Sequence, residues 1–102
     1  MGSGNPLGSA SMVYVAGRIR GVQNYEDSFS RAADKLRSQG YSVFNPAAAN
    51  QEGQPLNKIM GYLLPQLCEC DAIAMLPGWW RSGGARIEWM LAKYLGLKVI
   101  KL

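Results

Sequence analysis

Two segments of the chain carry residue types that could bind an anion and act on it. The first is Gly17-Arg18-Ile19-Arg20-Gly21, which directly follows the short β-branched run Val13 to Ala16. Its small residues expose backbone N–H groups, and its two guanidinium groups suit a phosphate or a carboxylate. The alternative interpretation is a tight glycine turn with solvated arginines, because the pattern alone is not specific.

The second segment is Ser82-Gly83-Gly84-Ala85-Arg86-Ile87-Glu88. We predict that Ser82 caps a helix whose first N–H groups are free to bind an anion, and Glu88 follows about 1.5 turns later. Glu88 is next to a predicted apolar stripe of Ile87, Met90, Leu91, Tyr94 and Leu95. It could therefore reach into a site from the buried side of the helix. The alternative is a surface glutamate paired with Arg81 or Lys93.

The composition limits the chemistry. The chain has no histidine, so catalysis would rest on Asp, Glu, Tyr, Cys or Lys. Cys68 and Cys70 are too close for an ordinary disulfide and lack the histidines of a zinc site, so we expect a reduced cytoplasmic setting with neither metal nor cofactor. The net charge of +4 is spread along the chain, and a polynucleotide partner is not expected.

Strand and helix patterns alternate four times. Strands are predicted at 13–16, 41–44, 71–76 and 98–102. Helices are predicted after a cap at Asn24, from Asn57 to Cys68 with a kink or break at Pro65, and after Ser82. This order predicts a three-layer α/β fold with a four-stranded parallel sheet in the flavodoxin-like or Rossmann-like order 2-1-3-4. Loops 17–24, 45–56 and 77–84 should meet at the carboxyl ends of the strands, where such folds bind ligands.

The domain organisation is simple. Residues 1–11 are Gly/Ser-rich and uncharged, and we interpret them as an expression-vector remnant before one domain at 12–102. No apolar run approaches the roughly 20 residues of a membrane-spanning helix, so no membrane partner is expected. Trp79 and Trp80 follow the predicted central strand. They could stack on a base, or they could serve core or dimer packing.

The segments VYVAGRIRG, GYSVFNP, CDAIAMLPGW and SGGARIEWMLAKYLG together resemble the nucleoside 2-deoxyribosyltransferase superfamily in order and spacing. The likeness covers nearly all of 13–102 and extends to small phage and bacterial members and to 2'-deoxynucleoside 5'-monophosphate N-glycosidases. It implies a nucleotide site formed by Tyr14, the loop 17–21, Ser82, Gly84 and Glu88. Glu88 would be the nucleophile and Tyr14 would orient it. Family members commonly form homodimers or larger assemblies, so a homodimer is expected.

One position departs from the family pattern. The helix before the central strand usually carries an aspartate eight residues ahead of the position of Asp71, and here that residue is Leu63. Retaining glycoside hydrolysis normally uses a second carboxylic acid to protonate the leaving group, and leucine cannot do so. Asp71 itself begins its strand at the opposite end of the sheet and is interpreted as a structural cap. Glu26, Asp27 and Glu52 are on segments that could approach the site.

Three functions remain open at this stage. The first is cleavage of the bond between the base and the sugar of a nucleoside 5'-monophosphate. The second is a binding or sensing module that keeps the nucleotide pocket but has lost efficient chemistry with Leu63. The third, transfer of deoxyribose between bases, is disfavoured because Arg18 and Arg20 indicate a phosphate-bearing ligand.

Overall fold

The computed structural model describes residues 11–48 and 53–102. The strands are β1 (Met12–Ala16), β2 (Ser42–Phe44), β3 (Ala72–Met75) and β4 (Lys98–Lys101), and the helices are α1 (Tyr25–Ser38), α2 (Leu56–Cys68) and α3 (Gly83–Leu95). Short 3₁₀ turns occur at Pro46–Ala48 and Trp79–Arg81. All neighbouring strands are parallel in the order β2-β1-β3-β4, which confirms the predicted fold.

The sheet is covered on both faces, as its apolar central strands require. On one face, α1 packs its buried residues against Val13, Val15, Ala72 and Ala74. On the other face, α2 and α3 pack against the opposite side chains of the same strands, among them Tyr14, Ile73 and Met75. Because side chains alternate along a strand, Tyr14 points toward α2 and α3, and this direction sets up the site.

The start of α1 and the middle of α2 differ from the predictions made for Asn24 and Pro65. Asn24 precedes α1 in the left-handed region at φ 58° and its side chain makes no capping hydrogen bond; the N–H of Asp27 bonds to its carbonyl instead. Helix α2 runs through Pro65 without a break. Pro65 removes the hydrogen bond to the carbonyl of Gly61, but both residues are exposed, so water can satisfy that carbonyl.

The predicted buried face of α3 is wrong. The helix buries Ala85, Glu88 and Ala92, whereas the apolar residues predicted to face the core are largely exposed: Ile87 50%, Met90 62%, Tyr94 87% and Leu95 44%, with Leu91 half-buried. The physical reason is close packing, since the small side chains let the helix approach the sheet. The exposed apolar stripe, defined here as Ile87, Met90, Tyr94 and Leu95, therefore leaves much of its apolar area open to solvent.

The amino-terminal end of the described chain is hydrogen-bonded to the sheet. Residues 1–10 lie outside the described residues, and Ser11 is buried with its carbonyl accepting the N–H of Ser42 at 2.9 Å. The carboxylate of Asp71 accepts the N–H of Met12 at 3.0 Å, at the amino-terminal edge of the sheet, as expected of a structural residue. Within 11–48 and 53–102 no helix is long and apolar enough to cross a membrane.

Candidate functional site

A buried hydrogen bond joins the two residues predicted to do chemistry. The Tyr14 hydroxyl, from the centre of β1, donates to Oε2 of Glu88 on α3. Tyr14 is 0% exposed and Glu88 5% exposed, and Glu88 is not paired with Arg81 or Lys93 as the alternative interpretation required. The small residues on the same face of α3 bring the helix close enough to the sheet for this contact.

Burial changes the protonation of both groups. It raises the pKa of Glu88 from 4.5 to about 7, although the hydrogen bond from Tyr14 acts in the opposite direction by favouring the ionised carboxylate. Burial, together with the negative charge of Glu88, raises the pKa of Tyr14 above its usual range, so Tyr14 remains a hydrogen-bond donor. Glu88 can therefore be either protonated or ionised near neutral pH, which suits a group that must react.

Glu88 lines a pocket of about 310 Å³ at the carboxyl ends of β1 and β3. The predicted loop contributes residues 17–20, and the start of α3 contributes Ser82 to Ala85. Gly17 is required here because a Cβ at this position would lie 2.8 Å from Leu76 Cδ1, where β1 and β3 end side by side. The sequence prediction that these loops meet at one edge of the sheet agrees with this arrangement.

Three arginines contribute to the lining of the pocket. Arg18 and Arg20 line it from the loop after β1, and Arg81 lines it from the turn before α3. Ser82 caps α3, with its Oγ accepting the N–H of Ala85 at 3.1 Å. The N–H groups of Gly83 and Gly84 have no carbonyl partner within the helix, so the helix start adds partial positive charge. Three guanidinium groups and a helix N-terminus favour a phosphate at this end of the pocket.

Three predicted residues lie elsewhere. Gly21 lines a neighbouring cavity of about 840 Å³ that also includes Arg20. Trp79 stacks on Trp89 with ring centroids 5.4 Å apart and packs against the core beneath α3. Trp80 is exposed. Neither Trp79 nor Trp80 is among the described residues that line the Glu88 pocket, so the structure gives them no contact with a base bound there.

The position at which the superfamily resemblance implies an acid faces the pocket. Leu63 lies on α2, is 4% exposed and lines the pocket together with Glu88. Among the described residues Glu88 is the only carboxylate in this lining. Glu26 and Asp27 are exposed on the first turn of α1 and do not line it, and Glu52 lies outside the described residues. Burial also raises the pKa of Cys70 to about 11, so its thiol is not an alternative nucleophile at neutral pH.

Sequence reasoning missed part of the lining. Arg81 was considered only as a possible surface partner of Glu88, although its place just before the helix cap puts a cation beside the helix start. The apolar wall also includes Phe29, Pro46, Leu56, Ile59 and Met60. The helical spacing of Ile59 and Met60 indicated a buried face but not that this face would also line a site. Of the described residues, no three His, Cys, Asp or Glu side chains cluster as metal ligands.

Comparison with known proteins adds a family and no named relative. No curated protein matches the chain. A family model described as a domain of unknown function, DUF4406, matches residues 11–101, which is nearly the whole chain and includes Tyr14, the arginine loop, Ser82 and Glu88. The chain therefore belongs to the DUF4406 family.

Proposed function

We propose that the protein is a nucleotide N-glycosidase, which cleaves the bond between the base and the sugar of a nucleoside 5'-monophosphate. One observation carries the proposal: a buried carboxylate, hydrogen-bonded to Tyr14, lies in a pocket that is also lined by three arginines and a helix N-terminus. Ser82 and Glu88 are six residues apart, or about 9 Å along the helix axis, which leaves room for a sugar between phosphate and carboxylate. The resemblance to the deoxyribosyltransferase superfamily supports the same roles.

In this mechanism the phosphate binds to Arg18, Arg20, Arg81 and the start of α3, which fixes the sugar over Glu88. The carboxylate attacks C1', or stabilises positive charge there, while the bond from C1' to the base nitrogen breaks and its electron pair leaves with the base. Water then attacks C1' and loses a proton, which the departed base takes up, so the products are the neutral base and a sugar phosphate, and Glu88 returns to its ionised form. Tyr14 holds the carboxylate in place through its hydrogen bond.

The second candidate is a nucleotide-binding or sensing module, and Leu63 favours it. A leucine at the position of the usual acid leaves the departing base without a proton donor among the described residues. The cationic rim would still hold a nucleotide. Transfer of deoxyribose between bases is less well supported, because the rim fits a phosphate group better than a second base.

Incubation with a panel of ribo- and deoxyribonucleoside 5'-monophosphates and the matching nucleosides, with free base measured by chromatography, tests the proposal. We expect release from monophosphates that disappears in Glu88→Ala, and little release from nucleosides. If no base is released but monophosphates raise the melting temperature, the enzyme is excluded and the binding module is supported. Release that is equal in Glu88→Ala would contradict the assigned nucleophile.

A homodimer is part of the proposal, and the exposed apolar stripe of α3 supports it. With about 200 Å² for each fully exposed large side chain, its four residues present about 500 Å², compared with about 800 Å² per partner in a standard interface. Ile87 and Tyr94 lie symmetrically on either side of Met90 and Leu91, so two copies of α3 can pack antiparallel about a two-fold axis. The free cysteines Cys68 and Cys70 are compatible with the proposed cytoplasmic location.

Light scattering on the purified protein tests the dimer. The expected mass is twice that of one chain, falling to one chain in Tyr94→Glu. Gln39→Glu, exposed at the end of α1, is the matched control because it adds the same charge away from the stripe. A monomeric wild type, or a Tyr94→Glu protein that remains dimeric, would contradict this interface.

A further inference from the structure

The α2 side of the pocket is apolar, and the acid that the superfamily resemblance implies would lie on this helix. Leu63 lines the pocket from α2, and Leu56, Ile59 and Met60 continue the same wall. Glu88 is the only carboxylate of the lining among the described residues, and it is already used at C1'. The arginines are at the rim, and a guanidinium group does not give up its proton in a protein. The described pocket therefore contains a nucleophile without an acid.

This arrangement selects among leaving groups. A neutral purine or pyrimidine that departs with the bonding electron pair becomes an anion unless it is protonated. An apolar wall stabilises an anion poorly, and a positioned general acid typically contributes 10²–10⁴-fold to the rate. A base that is already cationic has no such requirement, because the electron pair neutralises it and the free base leaves uncharged.

We propose that the preferred substrates are nucleoside 5'-monophosphates whose base is already cationic, namely pyridinium or N7-alkylated purinium nucleotides. This inference rests on the proposed N-glycosidase function. In the reaction the bond from C1' to the ring nitrogen breaks, and its electron pair neutralises the pyridinium or purinium ring. Glu88 bonds to C1' and is then displaced by water, which releases a proton. The products are a neutral base and a sugar 5-phosphate.

The charges of the pocket fit such a ligand. Its phosphate matches Arg18, Arg20 and Arg81 at the start of α3, and its cationic ring would be attracted to Glu88, the one carboxylate among the described lining residues. The cationic ring also favours the ionised form of Glu88, which is the form that reacts. Burial raises the pKa of Glu88, and binding of this substrate therefore acts in the opposite direction on that pKa.

The test uses substrates that differ by one methyl group and one charge. The wild-type protein is assayed with 7-methylguanosine 5'-monophosphate and guanosine 5'-monophosphate, with the deoxyribose forms of both, and with nicotinamide mononucleotide. Spontaneous release is subtracted in each case. We expect release from the methylated nucleotides and from nicotinamide mononucleotide, with kcat/KM at least about 100-fold above that for the unmethylated nucleotides.

Variants separate the role of the pocket from the weaker bond of the methylated substrates. In Leu63→Asp, the ratio of kcat/KM for cationic substrates to kcat/KM for neutral substrates should fall at least about 100-fold. The new acid can protonate a neutral base as it leaves, whereas a cationic base needs no proton. Leu63→Asn introduces a side chain of nearly the same shape as aspartate, but its amide group is not acidic. This variant should therefore gain no activity on guanosine 5'-monophosphate. Glu52→Gln checks whether the side chain outside the described residues supplies an acid; we expect no change in the ratio.

A pH profile of the wild-type protein does not depend on these variants folding. With nicotinamide mononucleotide, kcat/KM should rise as Glu88 of the free protein ionises near pH 7 and then stay level to about pH 9, because no acid has to remain protonated. Three results would overturn the inference. They are a kcat/KM that falls above pH 7, a similar rate on the neutral and methylated nucleotides, and a loss of base release from neutral nucleotides in Glu52→Gln. Release from neutral nucleotides alone would overturn it while keeping the proposed function. No release from any nucleotide would overturn both.

Discussion

Replacing Glu88 by glutamine should remove a pH-dependent loss of stability that burial of this carboxylate builds into the fold. Native Glu88 binds its proton up to about pH 7, whereas the group in the unfolded chain releases it near pH 4.5. Between these values the native state binds more protons, so the free energy of unfolding falls as the pH rises. The contribution is fully present below about pH 4.5 and is lost above about pH 7.

The magnitude follows from the two pKa values. A rise from 4.5 to about 7 corresponds to about 3 kcal/mol at 1.36 kcal/mol per pKa unit. Glutamine has the same shape and can still accept the hydrogen bond from Tyr14, but it carries no charge at any pH. Relative to the wild-type protein, Glu88→Gln should therefore become more stable by about 3 kcal/mol between pH 4.5 and pH 8.5.

Urea unfolding at pH 4.5, 6.5 and 8.5, followed by far-UV circular dichroism, measures this difference. Glu69→Gln is the matched control, since Glu69 is exposed at the end of α2. Its difference from the wild-type protein should change little over the same range. If the difference for Glu88→Gln changes by less than about 1 kcal/mol, the carboxylate is not held in the desolvated position that the structure gives it, and the reasoning fails.

Four further substitutions, one of them a control, test the residues that position the site. Tyr14→Phe removes the hydrogen bond that lowers the pKa of Glu88, so the rising limb of the pH–rate profile should move to higher pH; an unchanged limb would exclude this role for Tyr14. Gly17→Ala should lower the free energy of unfolding by about 1–3 kcal/mol through its clash with Leu76. The same change at Gly61, where a Cβ meets nothing within 4 Å, should stabilise α2, and equal effects at the two glycines would contradict the packing. Ser82→Ala should cost about 1 kcal/mol in urea unfolding through loss of the helix cap, and no loss would refute the cap.

The sheet could be predicted from sequence because its signals are local and mutually consistent. The apolar runs that became β1 and β3 are short, lack charge and end at Gly17 and Pro77, and the intervening helical patterns require parallel crossovers. The helix cap at Ser82 and the left-handed Gly96 that ends α3 are also local signals, and both are present. The order 2-1-3-4 also depended on the flavodoxin-like pattern, because right-handed crossovers are compatible with more than one strand order.

The packing of α3 could not be predicted in the same way. Helical spacing identifies an apolar stripe but does not say whether that stripe meets the sheet or remains at the surface. Here the sheet-facing side carries Ala85 and Ala92, with Glu88 between them, and the burial of Glu88 is tolerated because Tyr14 donates to it from another element. That partner is 74 residues away in sequence, so no local pattern reports it.

The central claim is that Glu88 acts on a nucleotide bound at the arginine rim, and base release measured side by side in wild-type, Glu88→Gln and Glu69→Gln proteins tests it most directly. The substrates are nicotinamide mononucleotide and guanosine 5'-monophosphate at pH 8, and circular dichroism confirms that each protein is folded. The account predicts release by the wild-type and Glu69→Gln proteins and a loss of at least about 1,000-fold in Glu88→Gln. Release that persists in folded Glu88→Gln, or that is absent from the wild-type protein, would contradict it.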